Sequence, residues 1–360
     1  MGFTSLRFSN YRNLVDRELE VGSRQVFLVG ENGQGKTNLI EAIHLLCYAS
    51  TFRGVSDEAV MRDPSMETTV AGTVSSQAEY EKSITLRFPP DQRKETRIDG
   101  KTILDRKDLF RETLCIVFLP QDLDFICGSP ETRRRFFDQT LTLSDLLYLD
   151  LFRNYRKILK GRNALLKSGQ TELLDVFDMQ LAVHGVEIQK KRGSIVEGFN
   201  EEFGRLFREI TGSEESVRIQ YRPSWRGINM DDVIQALGRQ RGRDCLMGTT
   251  TSGPHRDSFR YQWRGKDYAQ TASTGQLRLC SLILRVAQAR YLSALMRKKP
   301  VLLIDDVLLE LDPTKKMSFL SRFPDFDQAF FTFLPDEGFL SYRTNDTLLL
   351  RVVDGDFHPA

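Results

Sequence analysis

The segment Gly30-Glu31-Asn32-Gly33-Gln34-Gly35-Lys36-Thr37 constrains this chain more than any other stretch. It fits the pattern G-x-x-x-x-G-K-[ST], follows the apolar run Gln25 to Val29 and precedes a helical pattern starting near Lys36. That strand, loop and helix order is what the pattern requires mechanically. The glycines let backbone N–H groups curl around phosphates, Lys36 reaches the β and γ oxygens, and the Thr37 hydroxyl binds Mg²⁺. Glu31, Asn32, Gln34 and Asn38 complete the loop and the turn after it. The expected ligand is therefore ATP with Mg²⁺, held by an α/β fold.

A second apolar strand, Val301-Leu302-Leu303-Ile304, ends in Asp305 and Asp306. Strand tips in α/β sheets face the ligand crevice. There Asp305 would hold Mg²⁺ and Asp306 would polarise the attacking water as a general base, making Asp306, Lys36 and Gln121 the candidate catalytic residues. Gln121 lies in Phe118-Leu119-Pro120-Gln121-Asp122, after a β run, where a glutamine can sense Mg²⁺ and the γ-phosphate; an exposed loop glutamine reads equally well. Ser273-Thr274-Gly275-Gln276-Leu277-Arg278 stands at a helix start shortly before the second strand. Its hydroxyl, free N–H groups and positive dipole end suit a γ-phosphate, and the same serine makes a good N-cap. Such a helix in this position resembles the signature of ABC-type ATPases. The resemblance implies that Ser273, Gly275 and Gln276 complete the nucleotide site of a second subunit, so that dimerisation depends on ATP. Glu310-Leu311-Asp312-Pro313 resembles the D-loop of such proteins, whose Asp, here Asp312, couples the two sites.

Length sets the organisation. One core stops growing at about 250–300 residues, so 360 residues predict two lobes. An antiparallel β region is expected from Val70 to Ile98 with a turn at Asp99-Gly100. From Glu131 to about Arg243 long helical patterns dominate, broken near Lys167 to Gln170 and near Thr211 to Ser213. The predicted fold is thus an α/β ATPase lobe, 1–130 with 244–360, split by a mostly helical lobe, 131–243. A first helical arm of about 20 residues spans only about 30 Å, and heptads are absent, so no long coiled coil is expected. No apolar run approaches the roughly 18 residues that cross a bilayer, and the N-terminus lacks a signal-peptide pattern, so a cytoplasmic protein without a membrane partner is the expectation. Five scattered cysteines read as reduced core thiols. A net charge of +2 argues for no polyanion partner by itself. Basic residues do cluster locally, at Arg133 to Arg135, at Arg153, Arg156, Lys157, Lys160 and Arg162, at Lys190 to Arg192, and at Arg239, Arg241 and Arg243. Spacings of three and four in the second group predict one helical stripe able to neutralise phosphates without reading bases.

Taken together, Asn10-Tyr11-Arg12-Asn13, Gly30 to Asn38, Gly128-Ser129-Pro130 running into Arg133 to Asp138, Gly161-Arg162-Asn163, Gly253-Pro254-His255-Arg256-Asp257, Ser273 to Arg278 and Val301 to Asp312 resemble the RecF family, relatives of the SMC ATPase heads. The resemblance spans most of the chain. It implies ATP-dependent binding of double-stranded and gapped DNA, delivery of RecA to gaps together with RecO and RecR, slow ATP hydrolysis acting as a timer, and a link to replication and the SOS response. It also places Arg12 and Asn13 near nucleotide, where the alternative is surface polar residues, and leaves His255 between a structural and a nucleotide-facing role. Three departures stand out: Thr274 and Leu277 replace two glutamines usual in the signature, Leu309 takes the usual serine position of the D-loop, and the switch strand reads Phe331-Thr332-Phe333-Leu334 without a histidine. The competing reading is another SMC-like or ABC-type ATPase subunit not acting in gap repair. A full SMC protein needs heptads this chain lacks, and a transporter ATPase usually carries Glu where Asp306 stands.

Overall fold

The computed structural model describes residues 2–75, 80–90, 92–226, 229–308, 316 and 319–360. The chain packs as two compact units, Met1–Pro120 with Arg297–Ala360, and Gln121–Met296. The first unit contains β1 (Gly2–Ser9), β2 (Arg17–Glu20), β3 (Gln25–Val29), α1 (Lys36–Tyr48), β4 (Thr68–Ser75), β5 (Glu81–Phe88), β6 (Glu95–Ile98), β7 (Lys101–Thr102), α2 (Lys107–Glu112) and β8 (Cys115–Phe118). The second contains α3 (Asp124–Cys127), α4 (Pro130–Ser144), α5 (Leu146–Ser168), α6 (Leu174–Thr211), β9 (Arg218–Arg222), α7 (Met230–Met247), β10 (Ser258–Trp263), β11 (Lys266–Asp267), α8 (Tyr268–Thr271) and α9 (Thr274–Met296). The chain then re-enters the first unit as β12 (Val301–Ile304), β13 (Gln328–Phe333), β14 (Thr347–Val353) and β15 (Asp356–Pro359).

Two six-stranded sheets carry the first unit. One has the order β15-β14-β3-β13-β12-β8, parallel from β14 through β8 with β15 antiparallel at its edge. Its central strands are unbroken apolar runs because both faces are covered, as parallel sheets require. Inserting β13 between β3 and β12 sets three strand tips side by side, where the phosphate loop and the two aspartates emerge. The other sheet, β2-β1-β4-β5-β6-β7, is antiparallel and alternates buried with half-buried residues along β4, the mark of one covered face. Gln328 at the start of β13 joins the sheets: its buried amide accepts from Phe3 N–H at 2.7 Å and donates to Phe3 O at 3.0 Å.

In the second unit the caps explain the helix bounds. Ser129 accepts from Thr132 N–H at 3.2 Å with Pro130 in the first turn of α4, while Gly169 and Gly212 close α5 and α6 in the left-handed conformation. Phe136, Phe137, Phe199 and Phe203 form the aromatic core against which the small sheet β11-β10-β9 packs.

Four features lay beyond the sequence reading. The first arm, α5, runs 23 residues, near the length expected, while α6 fills the span between the two expected breaks with 38 residues, about 57 Å at the standard rise. The lobe expected to be mostly helical contributes β9 to a three-stranded sheet whose other strands, β10 and β11, come from the span expected in the ATPase lobe; the strands are too short for periodicity to separate them from loops. The contact-based units divide at 121 and 296, so 121–130 and 244–296 pack with the helices rather than as the motif order suggests. Helix α9 is long and apolar enough by composition to cross a membrane, which a count of consecutive apolar residues overlooks because Arg278, Arg285 and Arg290 interrupt it; 67% of its most apolar window is buried inside the protein. Cys47, Cys115 and Cys280 are core thiols as expected, whereas Cys127 is exposed.

Two hairpin turns of the same kind separate backbone strain from contact. Asp99-Gly100 and Asp354-Gly355 both hold consecutive positive φ values, with the glycines at +74° and +80°. A Cβ on Gly100 meets nothing within 4 Å, whereas one on Gly355 would lie 1.9 Å from Asn13 O. Gly100→Ala should therefore cost only left-handed strain, about 1 kcal/mol, and Gly355→Ala several times that. Paired thermal melts check this, and equal costs would refute it.

Candidate nucleotide site

The loop between β3 and α1 is shaped by two glycines in the left-handed region, Gly33 at φ +81° and Gly35 at +111°. Gly30 must lack a side chain for another reason: its Cβ would sit 2.4 Å from Val352 O on β14. Helix α1 begins directly at Lys36, so its unpaired N-terminal N–H groups and positive dipole end open onto the loop. Lys36 is buried, and its ammonium donates to Gly30 O at 2.5 Å and Glu31 O at 2.9 Å, lying across the mouth of the loop.

The β13 hydroxyl organises the carboxylates. Thr332 Oγ1 lies 3.1 Å from Asp305 Oδ1 and 3.0 Å from Asp306 Oδ1, and accepts from Asp306 N–H at 2.9 Å. Thr37 donates to Asp305 Oδ1 at 3.1 Å, so the loop helix and the β12 tip meet at one oxygen. Asp306 sits at φ +53°, a left-handed turn that swings its carboxylate out of strand register. Burial, then the charge of Asp306, pushes Asp305 up to about 6, against the pull of its hydrogen bonds from Thr37 and Thr332. A buried carboxylate beside a threonine hydroxyl and a second carboxylate is a donor set that fits a hard divalent cation completed by phosphate oxygens. Thr37 and Asp305 are the residues that would hold Mg²⁺, and the cation would remove the desolvation burden on Asp305.

The turn after β1 braces this loop. Asn13 Nδ2 donates to Gly33 O at 3.1 Å and its Oδ1 accepts from Asn38 Nδ2 at 2.7 Å. Arg12, at φ +47°, grips the fully buried Glu41 of α1 through Nε at 3.0 Å and Nη2 at 2.9 Å, and Arg53 and the Tyr11 hydroxyl reach the same carboxylate at 3.3 Å. Gly355 N–H donates to Gln34 O at 2.9 Å from behind. Glu41 escaped the sequence reading, and Thr332, named there only as part of the switch strand, was given no role. The signal for Thr332 was one hydroxyl residue in an otherwise apolar strand beside the aspartates; an acid on the apolar pattern of α1 was the signal for Glu41.

The remaining predicted residues lie in the second unit or outside the described residues. Ser273 and Gln276 cap α9 reciprocally: Ser273 N–H donates to Gln276 Oε1 at 2.9 Å and Gln276 N–H to Ser273 Oγ at 3.3 Å. Ser273 through Gln276 are exposed, and a Cβ on Gly275 meets open space. Gln121 is exposed, three residues past β8. Its neighbour Asp122 is buried in a bidentate pair with Arg285 of α9 at 2.7 and 2.8 Å. Asp312 lies outside the described residues, as do Leu309 and Pro313.

His255 is structural. Its Nδ1 meets the Tyr155 hydroxyl at 2.7 Å and its Nε2 meets Thr250 O at 3.0 Å, and burial lowers its pKa to about 4, keeping the ring neutral. Several cations expected at a DNA surface are likewise internal. Arg162 is buried between Asp178 and Asp244, Arg192 between Asp138 and Asp257; Lys191 pairs with Asp145, and Arg241 with Asp175 and Asp178. Arg133 and Arg134 donate to the carbonyls of Phe259 and Asp257. Arg153, Arg156, Lys157 and Lys160 remain exposed along α5.

Residues 3–334 match the family described as RecF/RecN/SMC N terminal domain. The chain is similar to the DNA replication and repair protein RecF of Treponema pallidum, at 36% identity over 97% of this chain and 99% of that one. It is similar in structure to the recombination mediator protein RecF-ATP of the RecFOR pathway, with a TM-score of 0.90, 28% identity and coverage of 99% and 97%. The Smc head domain of Pyrococcus furiosus, at 15% identity and a TM-score of 0.56, shares the fold.

Two outcomes follow from the geometry. Thr332→Val leaves both carboxylates without their shared hydroxyl, a loss of about 1–3 kcal/mol, so ATP turnover should fall about tenfold or more while nucleotide affinity stays near wild type; unchanged turnover in a hydrolysis assay would contradict this. Because His255 titrates lower folded than its ordinary 6.5, the unfolded chain binds the proton first. Its share of stability is present above about 6.5 and is lost as pH falls toward about 4. Melting curves of wild type against His255→Gln should diverge at neutral pH and converge across that window.

Proposed function

Because the chain belongs to the RecF family of DNA replication and repair ATPases, we propose that it closes as an ATP-dependent homodimer on double-stranded DNA at gaps, hydrolyses ATP slowly, and promotes RecA loading together with RecO and RecR. One observation carries this reading. The chain presents two incomplete halves of a nucleotide site: the loop, Thr37, Asp305 and Asp306 in one unit, and an exposed, pre-capped signature turn, Ser273 to Gln276, in the other. An exposed, capped helix start with its positive dipole end at the surface is suited to the γ-phosphate held by a second copy.

In this reading Lys36 leaves the loop carbonyls for the β and γ oxygens, Asp305 and Thr37 hold Mg²⁺, and Asp306 orients water in line with the γ-phosphorus. The cation supplies neutralisation of developing charge. Gln121 senses the metal and γ-phosphate, Asp312 couples the paired sites, and Arg12 and Asn13 set the wall of the loop. In this reading 1–130 with 244–360 serve as the ATPase lobe and 131–243 as the DNA-facing helical lobe, although 121–130 and 244–296 pack with the helices. Slow turnover fits a timer role, and Thr274 and Leu277 in the signature favour it. The exposed stripe Arg156, Lys157 and Lys160 supports DNA contact, and the chain's site of action is the cytoplasm, in replication-linked and SOS-linked repair.

Light scattering with and without ATP and Mg²⁺, repeated with a short duplex, tests the proposal: the monomer should become a dimer only with ATP, and the dimer should retain duplex. Lys36→Ala should abolish the dimer; a variant that still dimerises with ATP would sink the account. Ser273→Arg should leave ATP binding by the monomer within about threefold of wild type, under 1 kcal/mol, yet block closure.

A further inference from the structure

The small sheet of the second unit buries one face and leaves the other to solvent. Strand residues alternate between faces, and directly paired residues of antiparallel strands share one. Phe259 pairs with Tyr221 and Tyr261 with Ile219 on the inner face, where Phe259 stacks on Phe137 at 4.1 Å and Tyr261 packs on Phe203. The outer face therefore carries Ser258 opposite Arg222, Arg260 opposite Gln220, and Gln262 opposite Arg218. Each arginine faces a neutral polar residue, a checkerboard in which no two guanidiniums sit directly opposite.

All three arginines are exposed, and neither Arg218 nor Arg260 makes an ion pair among the described residues; Arg222 donates only to its neighbour Gln220, at 2.9 Å. The single carboxylate on this face, Asp267, stands at the far edge opposite Gln262 and is occupied in capping α8 through Ala269 N–H at 3.1 Å. Elsewhere in this unit the buried arginines Arg162, Arg192 and Arg285 are spent on internal carboxylates. The guanidiniums of Arg218, Arg222 and Arg260 stand on a rigid, core-anchored sheet with no carboxylate partner among the described residues.

We infer that this face, Arg218, Arg222 and Arg260 with Gln220 and Gln262 between them, is a phosphate-binding platform for the backbone of duplex nucleic acid. Guanidiniums pair bidentately with phosphate, and glutamine and serine donate to the same oxygens. Every aromatic of the sheet points into the core, so the outer face offers no ring on which splayed bases stack, which disfavours single strands. The face contacts backbone and reads no sequence. It is separate from the α5 stripe, and the inference rests on the reading of this chain as a DNA-binding ATPase.

The test uses the full chain with ATP and Mg²⁺ and measures retention of a short duplex across about 50–200 mM salt. Replacing the three arginines together by glutamine should lower the slope of log affinity against log salt by about 2.7 units, 0.9 for each phosphate contact, and the triple lysine variant should keep the wild-type slope. Both variants should melt and dimerise with ATP as wild type does. A triple glutamine variant with the wild-type slope overturns the platform. So does a variant that loses only oligothymidylate or only polyglutamate, which would assign the face to single strands or to an acidic polypeptide. A wild-type dimer that retains no duplex would instead remove the DNA reading itself, and this inference with it.

Discussion

A single side-chain oxygen, Asp305 Oδ1, receives both Thr37 from the phosphate-loop helix and Thr332 from the strand between loop and carboxylates. The nucleotide half-site depends on that convergence. It joins three parallel strand tips that are distant in sequence, and it holds a charge in a buried place where water would otherwise solvate it. The desolvation shows in the upward shift of Asp305. Two carboxylates and a threonine hydroxyl gathered in a buried place form an oxygen-rich donor set that would suit a hard divalent cation.

The second unit handles charge in the opposite way. Arg192 satisfies Asp138, Asp257 and the carbonyl of Pro254, and Arg162 satisfies Asp178, Asp244 and Thr250. Five segments meet in these two networks: the end of the arginine run at Asp138, Gly161-Arg162-Asn163, α6 at Asp178 and Arg192, Asp244 to Thr250, and Gly253 to Asp257. Gly161 and Gly253 are glycines because a Cβ would lie 2.6 Å from the Phe177 ring and 2.8 Å from the Tyr155 hydroxyl. Removing one partner from such a pair leaves an uncompensated buried charge, worth about 3–5 kcal/mol. These networks fix the frame that carries both the signature turn and the small sheet.

Legibility in the sequence tracked how local the physics is. The loop, the strand before it and the first residue of α1 follow from glycine conformations, an apolar run and helix geometry, all within a dozen residues. The aspartates at the tip of β12 were equally plain. Helix ends at Gly169 and Gly212 were visible as breaks for the same reason. The role of Thr332 was not, because a threonine in an apolar strand has no distinctive local signature until β13 is placed between β3 and β12. Charge was read least well. Arg162, Arg192 and Arg241 looked like members of basic surface clusters, yet their carboxylate partners come from other helices. Conversely Arg218, Arg222 and Arg260 looked unremarkable, since only sheet pairing puts them on one face.

What the sequence determined by itself was the chemistry available: a phosphate loop, a pair of metal-competent carboxylates, a capped signature turn and their order along the chain. These depend on backbone conformations and spacings that a few neighbouring residues dictate. What only the tertiary structure decided was which charges are spent and which are free. An arginine's role is set by whether a carboxylate reaches it across space, and that distance is fixed by packing between elements that sequence separation does not reveal.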